Sequence, residues 1–244
     1  MTYNNRADER ISMERKVVLI TGSARGIGEA IAYEFAREKA TAVVTYYRDR
    51  SRAEQTYNKC LALGSSDGLL VALNVMSEES IRRCVGTVVA TFGRIDVLVN
   101  NAGTLTWTYL RDQSYDDIKN QIRTNLEGAI MMTKACLPHV TETIINIGSI
   151  AGMNPLEELT VCCATKFGLR GFTQALAKEA PELNIYSVNP DYIATRMTDF
   201  VGRSPEEVAR VVVNAAKGVY ALPSGSDINV WETPRSGEED DAVH

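Results

Sequence analysis

The sequence predicts an α/β domain: a doubly wound parallel sheet of about seven strands flanked by helices. Three observations predict it. Short apolar runs alternate with stretches of helical periodicity along most of the chain. The runs are continuously apolar, which is the pattern of strands buried on both faces. The glycine and polar clusters fall at the carboxyl ends of those runs, where open parallel sheets bind their ligands.

The elements follow in order. Val17-Val18-Leu19-Ile20 leads into Thr21-Gly22-Ser23-Ala24-Arg25-Gly26-Ile27-Gly28 and then into a helical stretch over 29–36. Strand, glycine turn and helix together make a seat for a pyrophosphate. Unpaired N–H groups and the positive end of the helix dipole face the phosphates, and glycine lets the backbone approach them. The spacing is G-x-x-x-G-x-G rather than the general G-x-G-x-x-G. A second strand is read over 42–46, a helix over 51–63 closed by Gly64, and a third strand over 69–73. Ser77 caps a helix to about 91, with Gly93 just past its end. The fourth strand spans 95–99, and a long helix is expected over 114–137, stopped by Pro138. The fifth strand is 143–147, followed by a long helix over 159–179 and a sixth strand over 184–188. Pro205 opens a helix expected to reach 220, and 227–230 supplies a seventh, edge strand.

The chain has 244 residues, 45% of them hydrophobic, and a net charge of -5. That suffices for one well-buried core. The acidic balance and scattered basic residues argue against a nucleic-acid partner. No apolar run is long enough to span a membrane, and the polar amino end is not a secretory signal. A cytoplasmic location is expected. Residues 1–15 read as a flexible arm, 16–233 as the dinucleotide-binding and catalytic domain, and 234–244 as an acidic, disordered tail. The five cysteines read as free thiols in a reducing compartment, with Cys60, Cys84 and Cys136 as small apolar filler. With two histidines in the chain, no metal site is expected.

The fourth strand ends in Asn100-Asn101-Ala102-Gly103 and the fifth in Asn146-Ile147-Gly148-Ser149. The sixth ends in Asn189-Pro190-Asp191-Tyr192-Ile193-Ala194-Thr195. With the glycine turn and Lys166, this set resembles the short-chain dehydrogenases/reductases over about residues 16–231, and among them the 3-oxoacyl-carrier-protein reductases. The resemblance implies a Rossmann-type fold that binds NAD or NADP. It implies hydride transfer between the nicotinamide and a small-molecule or carrier-bound alcohol or carbonyl. It also implies a role for each residue. Gly22, Gly26 and Gly28 line the pyrophosphate, together with Ser23, Arg25 and Ile27 of the same turn. Asn74 and Val75 lie at the adenine. Asn101, Ala102 and Gly103 hold the fourth strand and the ribose region. Asn125 kinks its helix and holds a water of the proton relay. Ser149 hydrogen-bonds the substrate oxygen. Lys166 binds the nicotinamide ribose and lowers its partner's pKa. Pro190, Ile193 and Thr195 contact the nicotinamide end.

Cofactor choice follows from charge. An NAD site wants an acid at the end of the second strand, and an NADP site wants Arg for the extra phosphate. Here Arg48 follows that strand and Arg25 sits in the glycine turn, with Asp49 expected to face solvent. NADP is therefore expected over NAD. The two long helices carry surplus apolar residues, among them Met131, Met132, Phe167 and Phe172. In the resembled family such helices pair subunits, so a homodimer or homotetramer is expected.

The chain departs from the family in four places. Cys162 stands four residues before Lys166 and thirteen after Ser149, where the family has its general-acid tyrosine. Spacing i, i+4 keeps the pair on one helix face, but a thiol is shorter than a phenol and a weak donor. Three readings follow: an impaired reductase, a cofactor-binding protein that acts as partner or regulator without turnover, and a thiolate nucleophile activated by Lys166. Asn74 replaces the usual Asp near the base. Asp191 replaces a glycine next to the nicotinamide, where its carboxylate must crowd the ring or turn away. The stretch 196–204 is short for a substrate lid, so an open pocket is expected.

Overall fold

The computed structural model describes residues 11–195 and 198–233. The first ten residues of the expected arm, and the acidic tail from 234, lie outside them. Seven strands form one parallel sheet: β1 (Val17–Ile20), β2 (Thr41–Tyr46), β3 (Gly68–Ala72), β4 (Ile95–Asn100), β5 (Val140–Ile147), β6 (Asn184–Asn189) and β7 (Asp227–Asn229). Their order is β3-β2-β1-β4-β5-β6-β7. Helices α1 (Gly26–Arg37), α2 (Arg50–Leu63) and α7 (Pro205–Ala216) cover one face. Helices α3 (Glu78–Phe92), α4 (Tyr115–Ile122), α5 (Gly128–Cys136) and α6 (Thr160–Glu179) lie on the other side of the sheet.

The apolar runs become strands because both of their faces are covered. Val18, Leu19, Ile20, Val97, Leu98, Ile144 and Ile145 are fully buried. Each such side chain contributes on the order of 1.5–3 kcal/mol of apolar burial. Winding reverses between β1 and β4, so the loops after these strands splay apart and leave the crevice that positions the site. At the opposite edge the buried Asp96 holds the strand starts together. It accepts from Val17 N at 2.7 Å, Thr141 Oγ1 at 2.8 Å and Arg94 Nε at 3.0 Å.

Local chemistry places the helix ends. Ser77 caps α3 by accepting from Ser80 N, and Gly93 and Gly64 end α3 and α2 in the left-handed region. Asp49, exposed to solvent, caps α2 by accepting from Arg52 N at 3.0 Å. Ser204 and Glu207 form a reciprocal capping box on α7. Three expectations change. The helix over 114–137 is interrupted by a π turn at Arg123–Glu127. The helix from Pro205 ends at Ala216 rather than 220, where Gly218 turns the chain at φ +70°. The described part of the arm is docked. Met13 is 1% exposed in the main core, Ile11 N donates to Lys217 O at 3.2 Å, and Arg15 N donates to Lys39 O at 3.0 Å.

Met13→Ala leaves a cavity under β1 and is expected to cost about 2–5 kcal/mol. Denaturant unfolding measures it, and a loss near zero would show that the segment is not part of the core.

Candidate active site

The glycine turn is held from both neighbouring strands. Thr21 Oγ1 accepts from the N–H groups of Asn101 and Ala102, each at 2.9 Å. The Asn101 amide returns the bond, donating to Thr21 O at 2.9 Å and Gly22 O at 3.2 Å. From the β2 side, Thr45 Oγ1 accepts from Gly22 N at 3.0 Å, and Ser23 Oγ accepts from Thr45 N at 2.8 Å. Ser23 is fully buried, so its side chain braces the turn rather than facing a ligand. Gly22 and Gly26 have φ of +67° and +60°, which an L side chain rarely adopts. A Cβ on Gly28 would lie 2.4 Å from Asn101 Nδ2 and 2.5 Å from Gly22 O. The start of α1 is thus drawn against the β4 loop. Arg25 at its N-cap makes no side-chain cap bond. The first N–H groups of α1, beside Ile27, form an anion seat that fits a dinucleotide's diphosphate.

On the β2 side, Arg25 and Arg48 are exposed cations. The Arg48 guanidinium lies 4.7 Å over the Tyr47 ring and donates to the Tyr47 hydroxyl at 3.3 Å. The Asn74 side-chain oxygen accepts from Met76 N at 3.1 Å. Val75 is buried against Gly128, where an added Cβ would meet Val75 Cγ2 at 2.9 Å.

The π turn carries Asn125 inward, where it is 2% exposed. Its amide clamps the loop after β4, accepting from Thr104 N and donating to Thr104 O, both at 2.8 Å. Gly103 lies beside it, and a Cβ there would sit 3.5 Å from Asn125 Oδ1. Ser149 is extended at the end of β5, and its Oγ accepts from Ala151 N at 3.1 Å. Lys166 Nζ donates to Ile147 O at 2.7 Å. Gly152 lets α6 approach this turn, since a Cβ there would meet Lys166 O at 3.0 Å.

Cys162 is buried with Ala151, Leu159 and Cys163, and Leu105 and Leu156 pack on them. Burial pushes its thiol up, and the opposing pull of the nearby Lys166 does not reverse this. Burial likewise pushes the Lys166 ammonium down. The expected lowering of the partner's pKa by Lys166 is therefore outweighed, and Cys162 is a neutral thiol near pH 7.

The loop after β6 runs between the two halves of the site. Pro190 O accepts from Ile150 N at 2.8 Å, beside Ser149. At its other end, a Cβ on Gly26 would lie 3.6 Å from Thr195 Cγ2. The Ile193 side chain is buried in the main core, so only its backbone faces the crevice. Asp191 turns toward Arg203, accepting from its Nε at 3.2 Å. The described part of the short lid folds back through Arg203. Ala194 N donates to Arg203 O, and Arg203 N donates to Tyr192 O, both at 2.8 Å. This leaves Phe200 and Val201 exposed.

Trp107 and Tyr192 were not legible as site residues. Their ring centroids are 6.2 Å apart, and Trp107 Nε1 donates to Glu158 Oε2 at 2.8 Å. Their contact joins the loops after β4 and β6, which no sequence period connects. Among the described residues, no cluster of three or more His, Cys, Asp or Glu is placed to hold a metal.

Residues 16–206 match the family model described as short chain dehydrogenase. The chain is similar to a 3-oxoacyl-[acyl-carrier-protein] reductase of Synechocystis sp., at 34% identity over 80% of this chain and 81% of that protein. It is also similar to the enzyme of the same description from Haemophilus influenzae, at 35% identity over 84% of this chain and 85% of that one. Among solved structures, a short chain dehydrogenase from Burkholderia cenocepacia in complex with NADP matches with a TM-score of 0.84. It is 26% identical, covering 90% of this chain and 97% of that chain. Residue match and relatives together place it: this chain belongs to the short-chain dehydrogenase family.

Proposed function

We propose that this chain binds NADP across the carboxyl ends of β1 and β4 and transfers hydride between the nicotinamide and a carbonyl or alcohol, slowly, because Cys162 holds the general-acid position. One observation carries the reading. The braced glycine turn and the Ser149–Lys166 corner flank one crevice, with the β6 loop spanning from one to the other. A bound nicotinamide would supply or accept the hydride, and the chain's residues do the rest. Ser149 Oγ accepts from Ala151 N, which leaves its O–H to donate to a substrate oxygen. Lys166 uses one N–H on Ile147 O and has others for the ribose hydroxyls. Asn125 fixes the loop that borders them.

Cys162 is too short and too weak a donor to deliver a proton to that oxygen, and loss of a placed general acid costs about 10²–10⁴ in rate. NADP over NAD is supported by the exposed Arg25 and Arg48 and by the capping role of Asp49, whose carboxylate is committed to Arg52 N at 3.0 Å. The relatives' names support a carrier-bound or small-molecule substrate. The buried, neutral thiol favours a second reading over the nucleophile: a cofactor-binding protein without turnover that acts as partner or regulator. Free, buried cysteines fit a reducing compartment such as the cytoplasm. A net charge of -5 speaks for neither a nucleic-acid nor a membrane partner. Tyr115, Ile122, Ile130 and Phe167 are exposed on α4, α5 and α6, at 84, 42, 37 and 41%. A second copy covering that surface would remove them from water, which supports a homodimer or, by further pairing, a homotetramer.

Cys162→Tyr is expected to raise NADPH-dependent carbonyl reduction by about 10²–10⁴ in steady-state assays. A variant that binds NADPH yet reduces no aldehyde or ketone in a broad panel favours the partner reading. Light scattering at micromolar concentration is expected to give at least twice the chain mass, and Phe167→Glu is expected to lower it; a monomeric wild type removes the assembly claim.

A further inference from the structure

We propose that Asp191 tunes this site toward the oxidised, cationic form of its nicotinamide cofactor. The inference rests on the reading that a nicotinamide dinucleotide binds here. Asp191 sits on the strap pinned at Pro190 to the Ser149 turn and, at Thr195, against Gly26. A dinucleotide with its diphosphate on α1 and its reactive ring beside Ser149 would span the same two ends as that strap.

The carboxylate there is only partly neutralised. Its Oδ2 accepts from Arg203 Nε at 3.2 Å, but Arg203 also donates to Glu207 Oε2 at 3.0 Å. Two carboxylates thus share one guanidinium, and the cluster carries a net charge of about -1 by formal count. The side chain of Asp191 is 24% exposed, and its Oδ1 is buried with no hydrogen-bond partner among the described residues. A buried, unpaired carboxylate oxygen is costly, and a nearby positive charge is what relieves it. Oxidised nicotinamide carries a positive ring and reduced nicotinamide a neutral one. The rest of the molecule is the same, so the field of Asp191 acts on the difference. At an effective dielectric of about 20, a carboxylate lining the site favours a cation there by on the order of tenfold once solvent screens it.

Calorimetric titration of the full chain with NADP+ and with NADPH gives the ratio of the two affinities, in which the shared diphosphate and ribose contacts cancel. Asp191→Asn keeps the shape and an acceptor for Arg203. It is expected to lower the preference for NADP+ over NADPH by about tenfold. Arg203→Gln removes the partial neutralisation and is expected to move the ratio the opposite way, so it decides the matter if Asp191→Asn does not fold. Ratios within twofold of wild type in the folded variants, or shifts of the reverse sign, overturn the proposal. A wild-type chain that binds neither form overturns the cofactor reading itself, and this inference with it.

Discussion

The amide of Asn101 donating to the carbonyls of Thr21 and Gly22 is the contact on which the site depends. It joins the ends of β1 and β4, the two strands between which the winding reverses. Thr21 answers with its hydroxyl, accepting from two N–H groups of the β4 loop. Each such bond contributes only about 0.5–1.5 kcal/mol net, yet together they set the position of the turn. Gly28 shows how tight the arrangement is, because there is no room for a single methyl between the α1 backbone and the Asn101 amide. With the turn held, the first N–H groups of α1 are fixed at the crevice.

The remaining polar groups of the site follow the same rule: each is tied to backbone. Asn125 is locked to Thr104, Ser149 to Ala151 and Lys166 to Ile147. Such tethering fixes donor positions at no cost during reaction. Cys162 breaks the rule. It faces an apolar cluster, and burial holds it as a thiol. A helix face that keeps its lysine but ends in a short, neutral sulfur can bind more readily than it can protonate. Asp191 is the second exception, a charge balanced only in part by Arg203, whose guanidinium it shares with Glu207.

Much of this was legible in the sequence, for definite reasons. Continuous β-branched runs mark strands buried on both faces. The three glycines mark a backbone that must turn and approach closely. Cys162 and Lys166 lie close on α6, as their i, i+4 spacing implies, because helical spacing fixes which side chains share a face. What escaped notice were contacts between loops. The pairing of Trp107 with Tyr192 and of Asp191 with Arg203 joins segments that periodicity does not relate. Met13 reads as one apolar residue in a polar stretch, and only the tertiary fold shows it entering the core. A polar side chain in a turn can serve the ligand or the loop, and the bonds that Ser23 and Asn74 make to their own loops are not visible in the sequence. Asn125 was expected to bend its helix, but the sequence could not show that the bend is a π turn closed on Thr104.

The central claim is that a diphosphate sits on the amino end of α1 in a cradle that admits no side chain at Gly28. Equilibrium titration of NADP(H) and NAD(H) into the wild-type chain and into Gly28→Ala tests it most directly. The account predicts that the wild type binds NADP(H) more tightly than NAD(H), and that a folded Gly28→Ala binds neither. It is contradicted if the wild type binds no nicotinamide dinucleotide, or if Gly28→Ala binds as the wild type does.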